Sequence, residues 1–335
     1  MAFKPHPNGG GLVEDTAYAA ETAYVDINAV VKDKARVYNG AKVYGHAQVG
    51  GDAKIHENAE VYDNAIIRGN AQVFGDAKVY GNAEVYGNAK VKDDAQVFDN
   101  AQVFDNAIIR FDAQVFGEAQ VYGNAEVVCF AQVYGNSQIY DRALVYERAQ
   151  VYETAKVYGN AEVYDSAQVF GNAVVYGHAR VYDRATVYDF ARVYEHAVVY
   201  DSATVYEHAV VYENAHVYWA EVYGDAHAFG NARVHMQAKV YGNAMIFDSA
   251  KVWDGAEVYG EAKVYGNAKV EDDAQVFGDA KVYGNARVCE GAKVYDSAQV
   301  YENAIISCDG KVFGETHVSG NEHVISVGRR VKLTP

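Results

Sequence analysis

A chain of 335 residues with 29 Tyr and 30 Gly, but only 3 Pro, 3 Met and 2 Trp, does not have the composition of ordinary globular domains. Its formal net charge of -16 and pI near 5.1 exclude the basic field that nucleic acid or an anionic membrane requires, so neither is expected as a partner. Cys129, Cys289 and Cys308 are irregularly spaced and provide neither a disulfide framework nor a CxxC zinc motif; a reduced, cytoplasmic setting is expected. No apolar run follows a basic start between Met1 and Gly11, so no signal peptide is expected.

Residues 1–16, with Pro5, Pro7 and the three consecutive glycines Gly9, Gly10 and Gly11, read as an irregular lead-in or cap. From Ala17 to Ala215 every sixth residue is Ala except at Ser137, and from Ala220 to Ala304 the same spacing resumes after one missing residue. That deletion lies in His216-Val217-Tyr218-Trp219-Ala220, where a local tightening or kink is expected. Two places after nearly every Ala stands Val or Ile, as in Ala77-Lys78-Val79 and Ala262-Lys263-Val264. The Ala position then decays through Gly310, Thr316 and Glu322, and residues 325–335, with Gly328-Arg329-Arg330-Val331-Lys332, read as a C-terminal tail. A single solenoid domain over 17–324 is the simplest partition.

The triplet Ala-x-Val alternates like a short strand, with two apolar side chains inward and a Gln, Lys, Glu or Arg between them pointing out. Tyr or Phe follows at the strand end. Gly, Asp or Glu and then Asn, Asp or Ser supply the positive φ and side-chain bonds of a tight turn. A period of six does not fit an amphipathic helix. A strand this short has no independent stability, so the hexads must coil and stack, each turn satisfying the backbone of its neighbours.

The unit Val-Tyr-Gly-Asn-Ala-x resembles the hexapeptide repeat of left-handed parallel β-helix proteins, from roughly Ala17 to Val324. The resemblance implies an all-β, single-stranded parallel β-helix, a left-handed solenoid with three hexapeptides per coil. Roughly seventeen such coils would make a rod on the order of 80 Å long. The opening His6-Pro7-Asn8-Gly9-Gly10-Gly11 looks like the lead-ins of phage and prophage hexapeptide-repeat proteins, which makes a virion-associated location an alternative to the cytoplasm.

With three hexads per coil, residues eighteen apart stack into columns. One corner reads Tyr44, Tyr62, Tyr80, Phe98, Phe116, Tyr134, Tyr152, Phe170, Tyr188, Tyr206, Tyr223, Tyr241, Tyr259, Phe277, Tyr295 and Phe313, aromatic at every rung. A second corner is unbroken from Tyr86 to Tyr301, whereas the third is interrupted by His56, Lys92, Arg110, Val128, His235, Glu271, Cys289 and Ser307. Such columns are expected to stabilise neighbouring turns, and the uninterrupted first corner is the expected binding surface for self-association, another protein or a glycan. Gln96, Gln114, Gln132, Gln150 and Gln168 form an expected amide ladder. Arg233, Lys251, Lys269 and Arg287 stack near Met236, Asp254, Asp272 and Glu290, where cross-turn charge pairing is expected.

Hexapeptide-repeat proteins include acyltransferases and γ-class carbonic anhydrases, so an enzyme is the rival reading. This chain has no insertion long enough for the protruding loop of those acyltransferases. His178 and His196 share a corner, but His216, His227 and His235 fall at other offsets, so three histidines converging on zinc are not expected. Glu147, Asp165, Asp183 and Asp201 form an acidic run beside Arg148 and Arg184, not expected to hold a metal. Cys289 and Cys308 are diagonal neighbours. The expectation is a non-enzymatic, rod-like scaffold or binding surface without a cofactor; a carbohydrate- or protein-binding module and an acyltransferase relative are the alternatives.

Overall fold

Alternation and turn chemistry act as expected in the computed structural model, which describes residues 2–326 and 329–332. The chain is all-β: it forms a parallel β-solenoid of about 17 turns, with no helix among the described residues. Its contacts group it into two compact units, Met1–Ser166 and Ala167–Pro335. Each is built from three parallel sheets. In the first unit Glu60–Val61 pairs with Lys42–Val43 on one side and Lys78–Val79 on the other. In the second, Glu257–Val258 pairs likewise with Lys239–Val240 and Gln275–Val276.

One hexad shows how the backbone is satisfied. Lys78 N–H donates to Ala95 O (2.9 Å), Tyr80 N–H to Val97 O (3.0 Å), Asn82 N–H to Asp99 O (2.6 Å) and Ala83 N–H across its own corner to Tyr80 O (3.4 Å). The corner N–H of Gly81 is left over, and the Asp63 carboxylate of the preceding turn accepts it at 3.2 Å. The same device recurs from Glu57 to Gly75 at 2.8 Å in the first unit, and from Glu302 to Gly320 at 2.7 Å in the second. Corner acids thus complete a ladder that two-residue strands would leave open. The left-handed corners also leave little room: a Cβ on Gly75, at φ 76°, would stand 2.6 Å from Asp93 N.

Inside each unit the repeated Ala and Val are fully buried, as at Ala77 and Val79 or Ala262 and Val264. Each inward Val contributes about 1.5 to 3 kcal/mol by burial, and Ala keeps the narrow interior from overfilling. Ser137 is tolerated there because its hydroxyl donates to Tyr134 O at 2.9 Å.

The lead-in is ordered. Phe3–Pro5 pairs antiparallel with Leu12–Glu14, and His6 is buried with Nε2 3.1 Å from Ala20 O. Asn8 donates to Ala23 O at 2.9 Å and Gly11 N–H to Val25 O at 2.9 Å, so this segment closes the first turn. Glycine is required at position 11, where a Cβ would lie 2.3 Å from Asp26 O. At the other end Glu322–Ser326 pairs with Ile305–Ile306 and, antiparallel, with Arg329–Lys332. Residues 327–328 and 333–335 of the expected tail lie outside the described residues.

The one-residue deletion tightens a single corner. Trp219 alone turns the chain there, with φ 48° and its side chain exposed. Register runs Thr204↔Glu221, Val210↔His227 and His216↔Arg233, then returns to the regular spacing at Glu221↔Lys239.

Candidate functional site

Strand spacing decides ring spacing, because each aromatic residue ends a strand whose equivalents lie one ladder step away. In the first unit the seven rings from Tyr44 to Tyr152 stack with centroids 4.7–4.9 Å apart and planes within 5°. In the second unit the nine rings from Phe170 to Phe313 stack at 4.8–5.0 Å, opening only at the last pair, Tyr295–Phe313, to 5.3 Å and 14°. All sixteen expected residues therefore stack in regular order, seven in the first unit and nine in the second.

Each inner ring has both faces covered, and what reaches solvent is a comb of ring edges and hydroxyls. Tyr44 Oη donates to Glu60 Oε2 at 3.0 Å, Tyr80 Oη to Gln96 Oε1 at 3.3 Å and Tyr241 Oη to Glu257 Oε2 at 3.3 Å. Burial, reinforced by the neighbouring Tyr80, pushes the Tyr62 phenol up to about 12; Tyr206 and Tyr241 are raised for the same primary reason, with acidic neighbours adding to it. These hydroxyls stay protonated donors at neutral pH.

The second corner is equally regular, Tyr86 to Tyr158 in the first unit and Tyr176 to Tyr301 in the second, with neighbours such as Tyr122–Tyr140 at 5.0 Å and Tyr283–Tyr301 at 5.0 Å. The third corner is not. In the first unit His56 and Phe74 stack at 4.8 Å, and Lys92, Arg110 and Val128 then replace rings while the ladder Arg110↔Val128 stays intact. Arg110 uses the gap to reach Glu126 at 2.9 Å.

In the second unit the third corner stacks Tyr182, Tyr200, Tyr218, His235 and Trp253, with the His235 ring 4.6 Å from Tyr218 and 5.6 Å from Trp253 and its pKa pushed down by burial. Rings then give way to Glu271, Cys289 and Ser307, all buried. Arg287 Nε bonds Glu271 Oε1, Ser307 Oγ lies 2.7 Å from His323 Nε2, and the Cys308 thiol donates to Glu290 Oε2 at 2.9 Å. Burial pushes the Cys289 thiol up to about 11 despite the opposing pull of Arg287. Both cysteines are free thiols.

The backbone changes here too. Met236–Gln237, Asp254–Gly255, Asp272–Asp273, Glu290–Gly291 and Cys308–Asp309 each place two consecutive residues at positive φ, the type I′ arrangement. The second residue's N–H then donates backward, as Gly291 does to Asp272 O (2.8 Å), whereas at a regular corner Asn243 donates forward to Gly260 O (2.8 Å).

Other expected groups are placed as follows. The amide ladder runs Gln114–Gln132 at 3.0 Å and Gln132–Gln150 at 3.2 Å in the first unit, while Gln168 belongs to the second. Among the stacked cations, Arg287 pairs with the column residue Glu271 rather than with a corner acid. His178 and His196 stack at 4.9 Å. Glu147 and Asp165 lie in one unit, Asp183 and Asp201 in the other. Glu271 and Cys289 were legible only as interruptions and Asp272 only as a corner acid, because the column points outward at other rungs and gives no sign that a Glu and a Cys there would be buried. Among the described residues no helix is long and apolar enough to cross a membrane. No protein-family model matches the chain, and no curated protein matches it.

Proposed function

We propose that this chain is a non-enzymatic scaffold whose first-corner aromatic stacks bind sister copies or another protein. The observation that carries the reading is a contrast between corners. The third corner accepts Lys92, Arg110 and Val128 in succession without loss of the ladder, so the fold does not require a ring at every rung. The first corner, after Asp26 at its opening rung, nonetheless keeps one at sixteen successive rungs from Tyr44 to Phe313. Edge and hydroxyl combs suit a protein partner, which can pack apolar atoms against ring edges and accept hydrogen bonds from Tyr.

A glycan is the second reading. Sugar rings stack on aromatic faces, and those faces are covered along the column; its last ring, Phe313, is 47% exposed. An acyltransferase relative ranks third, for want of a loop insertion. The six-residue repeat and the His6–Gly11 lead-in support membership of the hexapeptide-repeat proteins and an origin in phage or prophage, virion-associated or cytoplasmic.

Replacing Tyr134, Tyr152, Tyr188 and Tyr206 by Ser is expected to weaken self-association or partner capture at least tenfold. The same change at Tyr146, Tyr164, Tyr182 and Tyr200 should leave it within about twofold. Sedimentation velocity and lysate pull-down compare the two once circular dichroism shows both folded. Equal behaviour of the folded variants rejects the reading.

A further inference from the structure

Among the described residues, one group of donor side chains stands close enough to share a cation: single ligand atoms of Glu271, Asp272 and Cys289 lie within 4.8 Å of one another. Glu271 is 5% exposed and Cys289 2%, while Asp272 is exposed, so two donors form a dry wall and the third opens to solvent. We propose that these three residues bind one thiophilic divalent cation of the zinc class through Cys289 Sγ and one carboxylate oxygen each from Glu271 and Asp272, with solvent completing the shell. This inference is independent of the scaffold reading.

Three features favour a ligand over a simple packing substitution. Val128 shows that an apolar side chain fills this corner when only packing is needed, whereas here a carboxylate and a thiol occupy successive rungs. A buried carboxylate is costly without a counter-charge; Arg287 supplies one at Oε1, and a cation would add a second. A dication would displace the Cys289 proton on binding and, together with Arg287, would offset the charge of the three ligands.

The geometry also fits. Zinc bonds sulfur near 2.3 Å and carboxylate oxygen near 2.1 Å, so its tetrahedral ligands stand roughly 3.4–3.7 Å apart. Closing from the present separations takes side-chain rotation on the order of 1 Å, which the exposed Asp272 permits. The corner beneath is held: Gly291 N–H donates to Asp272 O at 2.8 Å, and Asp273 N–H to Asp254 O at 2.9 Å. Arg287 would orient Glu271 as an outer-shell partner. Thiolate among the ligands selects zinc-like ions over magnesium or calcium. Cys308 already donates to Glu290 and lies outside the triad, which makes it an internal control.

The full chain, stripped with chelator and kept reduced, is titrated with Co2+ and with Zn2+. The expected result is one equivalent of Co2+ with a near-ultraviolet thiolate charge-transfer band, displaced by Zn2+ and not by Mg2+. Cys289→Ser should abolish the band and weaken Zn2+ binding at least tenfold by calorimetry, and Cys308→Ser should change neither. If Cys289→Ser does not fold, the exposed Asp272→Asn carries the test, with Zn2+ affinity expected to fall about tenfold. No saturable band in the wild type, a band that survives Cys289→Ser, one lost in Cys308→Ser, or unchanged Zn2+ affinity in Asp272→Asn overturns the proposal.

Discussion

Within a hexad each position answers a different physical demand. Ala and Val fill an interior with no spare volume, the residue between them meets water, and the corner residue must accept a left-handed backbone. At Ala89-Lys90-Val91 the first and third side chains are fully buried and Lys90 is exposed. Ala89→Leu should therefore cost about 1 to 3 kcal/mol through overpacking, whereas Lys90→Leu should change stability by less than about 0.5 kcal/mol. Denaturant titration of the two variants checks this, and equal losses would contradict the inward and outward assignment. That assignment was legible because period-two alternation has only one arrangement with its apolar residues inside. The corner acids were legible only as turn formers; their use as acceptors for Gly N–H groups one turn away, such as Asp248 for Gly266 at 3.0 Å, depends on the stacking itself.

At the scale of the element, strand and ring stack share one spacing, so a column is an outcome of the ladder rather than a separate assembly. Column identity could be read directly from the eighteen-residue step. The reversed corners could be read only in part: Gly255 and Gly291 stand second in their corners, whereas forward-donating corners such as Gly242-Asn243 place Gly first, but Asp272-Asp273 repeats the residues of Asp93-Asp94, where Asp93 alone has positive φ. Stacking has a consequence for pH. Burial, with neighbouring tyrosines next, raises the Tyr140 and Tyr200 phenols to about 12, and burial likewise raises Tyr134, Tyr188 and Tyr259 above the ordinary value. A phenol whose folded pKa is raised contributes stability that is complete below the unfolded value near 10 and is lost as pH climbs through the folded value. Melting temperature is thus expected to be flat in this contribution up to about pH 10 and to fall steeply between about 10 and 12. Phenolate absorbance should rise together with loss of the β-sheet circular dichroism signal. Titration near 10 with the sheet signal intact would contradict the stacked, half-buried placement.

For the molecule as a whole, both ends of the described chain finish in antiparallel pairs, Phe3–Pro5 with Leu12–Glu14 and Glu322–Ser326 with Arg329–Lys332. Such pairs blunt the open sheet edges that terminal turns of a solenoid otherwise present. The repeat made the solenoid legible across its length, and the decay after Ala304 marked where it would stop. The N-terminal segment was legible as a lead-in or cap but not as an ordered antiparallel pair, because Pro and three glycines read as irregular chain, although Gly9 and Gly11 let the backbone approach Val25 and Asp26 closely. The net charge of -16 is spread over corners that also cap backbone, so acidity serves architecture as well as repulsion between molecules. On the proposed reading, directional contacts between copies or with a partner come from surfaces with little charge, and the first-corner aromatic run is the longest of these, sixteen rungs against thirteen from Tyr86 to Tyr301. A cryo-EM structure of the protein in its self-associated or partner-bound state tests that claim most directly. The edges of Tyr134, Tyr152, Tyr188 and Tyr206 are expected to be buried at the contact; a contact formed by the second or third corner, with the first left in solvent, would overturn the first-corner assignment.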